Sequence, residues 1–181
     1  NLSYGNRTVS TNWTHLFSQK TFSAFTVTGS RYFSDPRLGI AGTGFERDND
    51  VTEFSVKGDI DHIASEKHQF KSGFWAGNMR LLIKERFDEQ ETLFEEIKSR
   101  YASGYAEYTW KPDVRWIVRG GLRGNYFSSG EYFRVEPRFS LENIFTEDVL
   151  FQAAYGRYYQ FLTLITNEAF SGFDTWLTTD D

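Results

Sequence analysis

An all-β fold, and within it an antiparallel transmembrane β-barrel segment of about eight long strands, is what the sequence predicts. Apolar and polar residues alternate over long stretches from end to end. Aromatic residues make up 18 % of the chain, with 18 Phe, 10 Tyr and 5 Trp, and many Tyr and Trp fall near strand ends. The alternating segments run to a dozen residues or more, whereas strands of soluble proteins average about 5–6. A strand tilted across a bilayer needs about 9–11.

Period two places the strands at about 4–17, 20–34, 49–63, 68–84, 95–110, 114–127, 132–145 and 148–162. The first ends at the polar pair Ser18-Gln19. The second leads into 35–48, which holds a proline and several glycines and reads as a long loop. The third turns at Ser65-Glu66-Lys67, and the fourth leads into the acidic loop 85–94. Within 87–98, Phe87, Phe94 and Ile97 have the spacing of a short loop helix. The fifth strand stops at Pro112-Asp113, the sixth at Ser128–Gly130, and the seventh at Thr146-Glu147. The eighth runs on into Thr166 to Asp181. Short turns on one side and longer loops on the other orient every strand, because bacterial barrels keep the short turns periplasmic. Both ends of the segment then fall on the extracellular side, which suits a piece of a larger barrel.

The strand faces call for water on one side. In the third strand Glu53, Ser55, Lys57, Asp59 and Asp61 oppose Phe54, Val56, Gly58 and Ile60. In the sixth, Arg115, Arg119 and Arg123 oppose Trp116, Val118, Leu122 and Tyr126. The seventh sets Arg134, Glu136, Arg138, Ser140 and Glu142 against Phe133, Val135, Phe139 and Leu141. Dry burial of so many charges costs several kcal/mol per unpaired ion, so that face is wet or densely paired. Arg115, Arg119, Arg123, Glu136 and Arg138 are the candidate lumen-lining residues, placed to line a passage for a polar or anionic solute or to pair among themselves. Pro137 cannot donate to a ladder and predicts a local bulge.

Composition excludes several classes. A net charge of −5, with basic residues scattered among acidic ones, argues against a nucleic-acid partner. The absence of cysteine removes disulfides, thiolate metal sites and cysteine nucleophiles. A mean hydropathy of −0.53 argues against a helical membrane protein but not against a barrel, in which only every second residue is apolar. His15, His62 and His68 all fall near the proposed periplasmic turns; His62 and His68 flank one turn, a weak metal signal without a third ligand. Nothing resembles a nucleophile elbow, so no catalytic residue, cofactor or metal is assigned and the chain is not read as an enzyme.

Glu136-Pro137-Arg138-Phe139-Ser140-Leu141, followed by Ala153-Ala154-Tyr155-Gly156-Arg157-Tyr158-Tyr159-Gln160, resembles strand pairs in the second half of the barrel of TonB-dependent outer-membrane receptors. Ser30-Arg31-Tyr32-Phe33 and Asn12-Trp13-Thr14-His15 are similar to hairpin pieces of the same family. The resemblance implies a barrel of about 22 strands, a plug domain that is not recognisable in this chain, and nutrient import driven through TonB. On that reading residues 1–181 are a partial outer-membrane barrel domain, located in the cell outer membrane. Its partners are outer-membrane lipid, TonB through the plug, a small-molecule nutrient such as a siderophore, vitamin or oligosaccharide, and a surface lipoprotein as a further candidate. Specificity is expected in loops at about 35–48, 85–94 and 161–181, with Phe170, Phe173 and Trp176 as candidate extracellular ligand contacts. Two alternatives stay open: a complete eight-stranded structural or adhesive barrel, and a soluble β-barrel that binds a ligand in an apolar interior.

Overall fold

A computed structural model describes residues 2–40, 43–88, 90–160, 162–165 and 175–178. Eight antiparallel strands form one sheet in sequence order: β1 (Leu2–Ser18), β2 (Thr21–Ile40), β3 (Thr43–Ser65), β4 (His68–Phe87), β5 (Gln90–Trp110), β6 (Trp116–Phe127), β7 (Tyr132–Thr146) and β8 (Val149–Gly156). β9 (Leu162–Ile165) and β10 (Thr175–Thr178) pair with each other. Among the described residues the sheet does not close: β1 pairs with β2 alone, and β8 with β7 alone.

The near end of the sheet carries the turns at 19–20, 66–67, 111–115 and 147–148. Local chemistry sets them. The Ser18 and Ser65 hydroxyls accept the backbone N–H of Lys20 and Lys67. Asp113 Oδ1 accepts the N–H of Arg115 at 2.8 Å and of Trp116 at 3.2 Å, and so restarts the chain as β6. At the far end β6 and β7 are joined by 128–131, where Gly130 (φ 85) and Glu131 (φ 55) take left-handed backbone.

The far end corrects the sequence reading. Segments 35–48 and 85–94 are not long loops: β2 pairs with β3 out to Ile40↔Thr43, and β4 with β5 out to Phe87↔Gln90. The helix expected within 87–98 is absent, because Gln90 to Lys98 is ladder-paired strand. Alternation persists there with charges on both faces, and cross-strand ion pairs hold the ladder together: Arg37 with Glu46, Arg86 with Glu46, and Arg47 with Glu85. β3 thereby reaches 23 residues, on the order of 70 Å at the rise of an extended chain.

Pro137 makes no bulge, and the β6–β7 register runs unbroken through Leu122↔Pro137. Its carbonyl accepts the Arg157 N–H at 3.2 Å. In an antiparallel ladder the N–H and C=O of one residue point to the same neighbour. The donor that proline lacks therefore falls on the β8 side, just past the last β7–β8 pair, Arg138↔Gly156. No bond of the β6–β7 ladder is lost.

The two faces differ sharply. Cross-strand rows on one face read Trp13, Phe25, Gly58, Phe74, Gly104, Gly124, Val135 and then His15, Ser23, Ile60, Ser72, Ala106, Leu122, Pro137. The rows on either side of these, through Val27, Val56 and Ala76 and through His62, Phe70 and Tyr108, are equally free of charged residues. These apolar side chains are open: Trp13 is 55 % exposed, Leu122 60 % and Phe133 63 %. On the opposite face, polar side chains are buried beside apolar ones such as Leu81 and Ile83. Asn49, Ser99 and Glu136 lie at 2 %, 2 % and 4 %, with no second sheet over them among the described residues. Met79, Phe127 and Tyr132 cluster there with Val51 and Tyr101, joining β3 to β7. The sheet is therefore curved toward its polar face.

Candidate functional site on the polar face

Glycine lets this face pack tightly. Gly73 pairs with Asp59 on one side and with Tyr105 on the other, and the Tyr105 ring lies across it so that its hydroxyl donates to the Asp59 carboxylate. A Cβ at Gly73 would stand 2.8 Å from the ring and 2.6 Å from the Gly58 carbonyl oxygen. The device repeats two rows along: Tyr101 crosses Gly77 and donates to Glu53. Two β5 tyrosines are thus latched over β4 onto β3 carboxylates.

Beside the Tyr101 latch a cavity of about 440 Å³ opens on the polar face. Trp75, Met79, Tyr101 and Phe127 give it apolar walls, while Glu53, Ser103, Arg123, Asn125, Glu136 and Arg138 give it polar groups. Tyr158, Tyr159 and Gln160 close one side. They arrive there because β8 ends at Gly156 and the following four residues fold back instead of continuing the strand to 162 as the alternation predicted. The Tyr159 N–H donates to Glu136 Oε1 at 3.0 Å, and the Arg138 guanidinium sits 4.8 Å from the Tyr158 ring centroid.

Four of the five predicted lining residues share this face. Arg138 bonds Glu136 at 2.8 Å, and Arg119 pairs with Glu142. Arg123 stands opposite Glu136 in register yet bonds neutral groups, Asn125 Oδ1 at 3.0 Å and Ser103 Oγ at 2.9 Å. Among the described residues no carboxylate pairs with it. Holding the Asn125 oxygen turns the amide nitrogen inward, where it is buried and finds no acceptor among the described residues. Arg115 is not part of the group: it lies in the exposed turn that precedes β6.

The cavity thus combines aromatic faces, one guanidinium held without a counter-charge and a free amide donor. Such a set can hold a ligand that has both a flat or apolar surface and oxygen acceptors. Sequence reasoning missed Trp75, Tyr101 and Asn125. Their outward or inward parity was legible, but the glycine opposite Tyr101 and the chain folding back after Gly156 are what assemble them. Phe170 and Phe173 lie outside the described residues, and Trp176 is a position in β10 paired with Leu164.

The histidines sit on the apolar face near the turns, each with its own partner. His62 Nδ1 bonds Thr21 Oγ1 at 2.8 Å, His68 Nδ1 bonds the Tyr108 hydroxyl at 2.6 Å, and His15 stacks on Trp13 at 5.4 Å. The chain matches no model of a known protein family and no curated protein.

Proposed function

We propose that this chain is part of the barrel of a TonB-dependent outer-membrane receptor that imports a scarce nutrient such as a siderophore, vitamin or oligosaccharide. The observation that carries the reading is the contrast between the faces. The apolar face stays free of charged residues over a band of about nine residues per strand, the height a tilted strand needs to cross a bilayer. The face behind it is charged, ion-paired and hollowed. A soluble ligand-binding β-barrel has the reverse arrangement, with the apolar face inward. An eight-stranded barrel requires β1 to pair with β8, and their free edges favour further strands on both sides.

The family resemblance at Glu136–Leu141 and Ala153–Gln160 supports the receptor type within that architecture. On this reading the polar face lines the lumen, the near-end turns are periplasmic, and the extended far ends of β2 to β5 stand outside the cell. The ligand set around Arg123 and Asn125 then lies in the lumen wall.

The test is made on the native protein. Recovery from the outer-membrane fraction only with detergent, at an intact mass several times 21.1 kDa, together with nutrient uptake that stops when the inner-membrane gradient is dissipated, is the expected result. A detergent-free soluble protein, or a membrane protein of about the mass of this chain alone, refutes it.

A further inference from the structure

On the apolar face, just beyond the uncharged band, the charged residues nearest to it are all basic. Arg7 pairs with Arg31, Arg31 with Thr52, Thr52 with Arg80, and Arg80 with Lys98, so four cations share one row across five strands. Arg100 stands one row nearer the band. The carboxylates come only in the next row outward, where Asp50 and Glu96 flank Leu82. The opposite edge of the band, by contrast, ends in His62, Phe70 and Tyr108.

Like charges directly opposite each other on neighbouring strands destabilise a sheet. Two such pairs occur here, Arg7 with Arg31 and Arg80 with Lys98. Glu96 answers the second pair, bonding Arg80 at 2.5 Å and Lys98 at 3.2 Å. For the first, Asp50 takes Arg31, with the Arg31 Nε at 2.7 Å. Among the described residues Arg7 has the Phe33 ring as its partner, 6.0 Å from its guanidinium to the centroid. The outer edge of that ring reaches Gly5, where a Cβ would come within 2.8 Å of it. A small cavity of about 220 Å³ results, lined by Arg7, Arg31 and Phe33.

We infer that this cavity binds the phosphate of an anionic lipid headgroup, and that Arg80 and Lys98 extend the site along the row. The inference rests on the membrane reading above and adds a lipid class to it. Three features select this occupant. The cations lie at headgroup depth, at the edge of the uncharged band. They are exposed, with the Arg31 side chain at 58 %. A phosphate oxygen pair also matches the planar fork of a guanidinium, which accounts for arginine in three of the four positions.

The test uses the native protein in detergent, stripped of lipid and titrated calorimetrically with micelles that contain a bisphosphorylated glycolipid or the same glycolipid after phosphatase treatment. Two double variants accompany it: Arg7→Gln/Arg31→Gln, and Lys84→Gln/Arg86→Gln, which removes as much charge farther from the band. The phosphorylated lipid is expected to bind wild type and K84Q/R86Q alike, and R7Q/R31Q about tenfold or more weaker, since each basic residue near an anionic surface contributes about 1 kcal/mol. Equal binding of the dephosphorylated lipid, equal binding by R7Q/R31Q, or inorganic phosphate binding as tightly as the lipid overturns the inference while leaving the membrane reading intact. A protein that stays soluble without detergent overturns the membrane reading and this site with it.

Discussion

Strands β3, β4 and β5 form one continuous ladder, yet its two halves obey different rules. Toward the near end the apolar face carries Val56, Ile60, Phe70, Phe74, Ala102 and Ala106 and, among the described residues, no ion pair. Toward the far end the same face carries Glu46 with Arg86, Asp50 with Arg31, and Glu96 with Arg80 and Lys98. Backbone geometry and pairing do not change between the halves, so the ladder itself does not dictate the side chains. What changes is the medium that each half is suited to: one half needs an apolar surrounding, the other tolerates water.

Ala106→Arg separates the halves most strongly. Ala106 is exposed and lies mid-band, so in water the substitution is nearly neutral, whereas at a bilayer midplane an outward arginine costs about 2–4 kcal/mol. Leu82→Arg is its counterpart in the far half. It places a cation between Asp50 and Glu96, and cross-strand opposite charges of that kind contribute roughly 0.2–1 kcal/mol. Equilibrium unfolding in lipid vesicles should show a large loss for A106R and none for L82R. Equal, small effects would contradict a lipid-facing band.

Glu136→Ala tests the polar face. The carboxylate holds the Arg138 side chain and the Tyr159 N–H and is itself buried, so its loss strands both donors, and charged hydrogen bonds of this kind contribute about 1.5–3 kcal/mol. Residues 157–160 should become sensitive to protease before the sheet unfolds. Gly73→Ala follows at roughly 1–2 kcal/mol, since its Cβ would meet the Gly58 carbonyl and the Tyr105 ring. In denaturant melts Gly104→Ala is the control: its nearest neighbour for a Cβ is 4.0 Å away, and it should unfold close to wild type.

The eight strands of the main sheet and their faces were legible from period two because both depend only on alternation, whereas β9 and β10 fall in a segment read as loop. Strand length at the far end was not legible. A proline and glycines in 35–48, and acidic residues in 85–94, match loop composition; there the ladder is held by pairs such as Arg37–Glu46 and Arg47–Glu85, which depend on the cross-strand register and not on alternation within one strand. The same limit applies to the site. Arg119, Arg123, Glu136 and Arg138 could be placed on one face by parity, whereas Arg115 could not be excluded without knowing that Asp113 holds it in a turn. The cavity itself depends on Tyr101 crossing Gly77 and on the chain turning back after Gly156, neither of which alternation encodes.

The smallest effects concern pH in the far half, where two carboxyls respond in opposite senses. Burial, and then the neighbouring Asp35, hold the Asp48 carboxyl above its ordinary value of 3.8. The folded state therefore binds that proton more tightly than the unfolded chain, and stability falls as pH rises through the folded-state value. Glu96 behaves the other way: hydrogen bonds from Arg80 and Lys98 lower its value, so its contribution is present above the unfolded value and lost as pH falls through the folded one. Asp48→Asn should raise the unfolding midpoint at pH 7, within the ~0.5 kcal/mol span of surface substitutions, and the gain should vanish in acid where wild type is protonated anyway. Glu96→Gln should lower the midpoint at pH 7, and its deficit should also close in acid. Parallel melts of both variants against pH therefore distinguish a crowded pair of acids from a paired one on the same exposed face, and a gain for Glu96→Gln at neutral pH would contradict the ion pairs assigned to the far half.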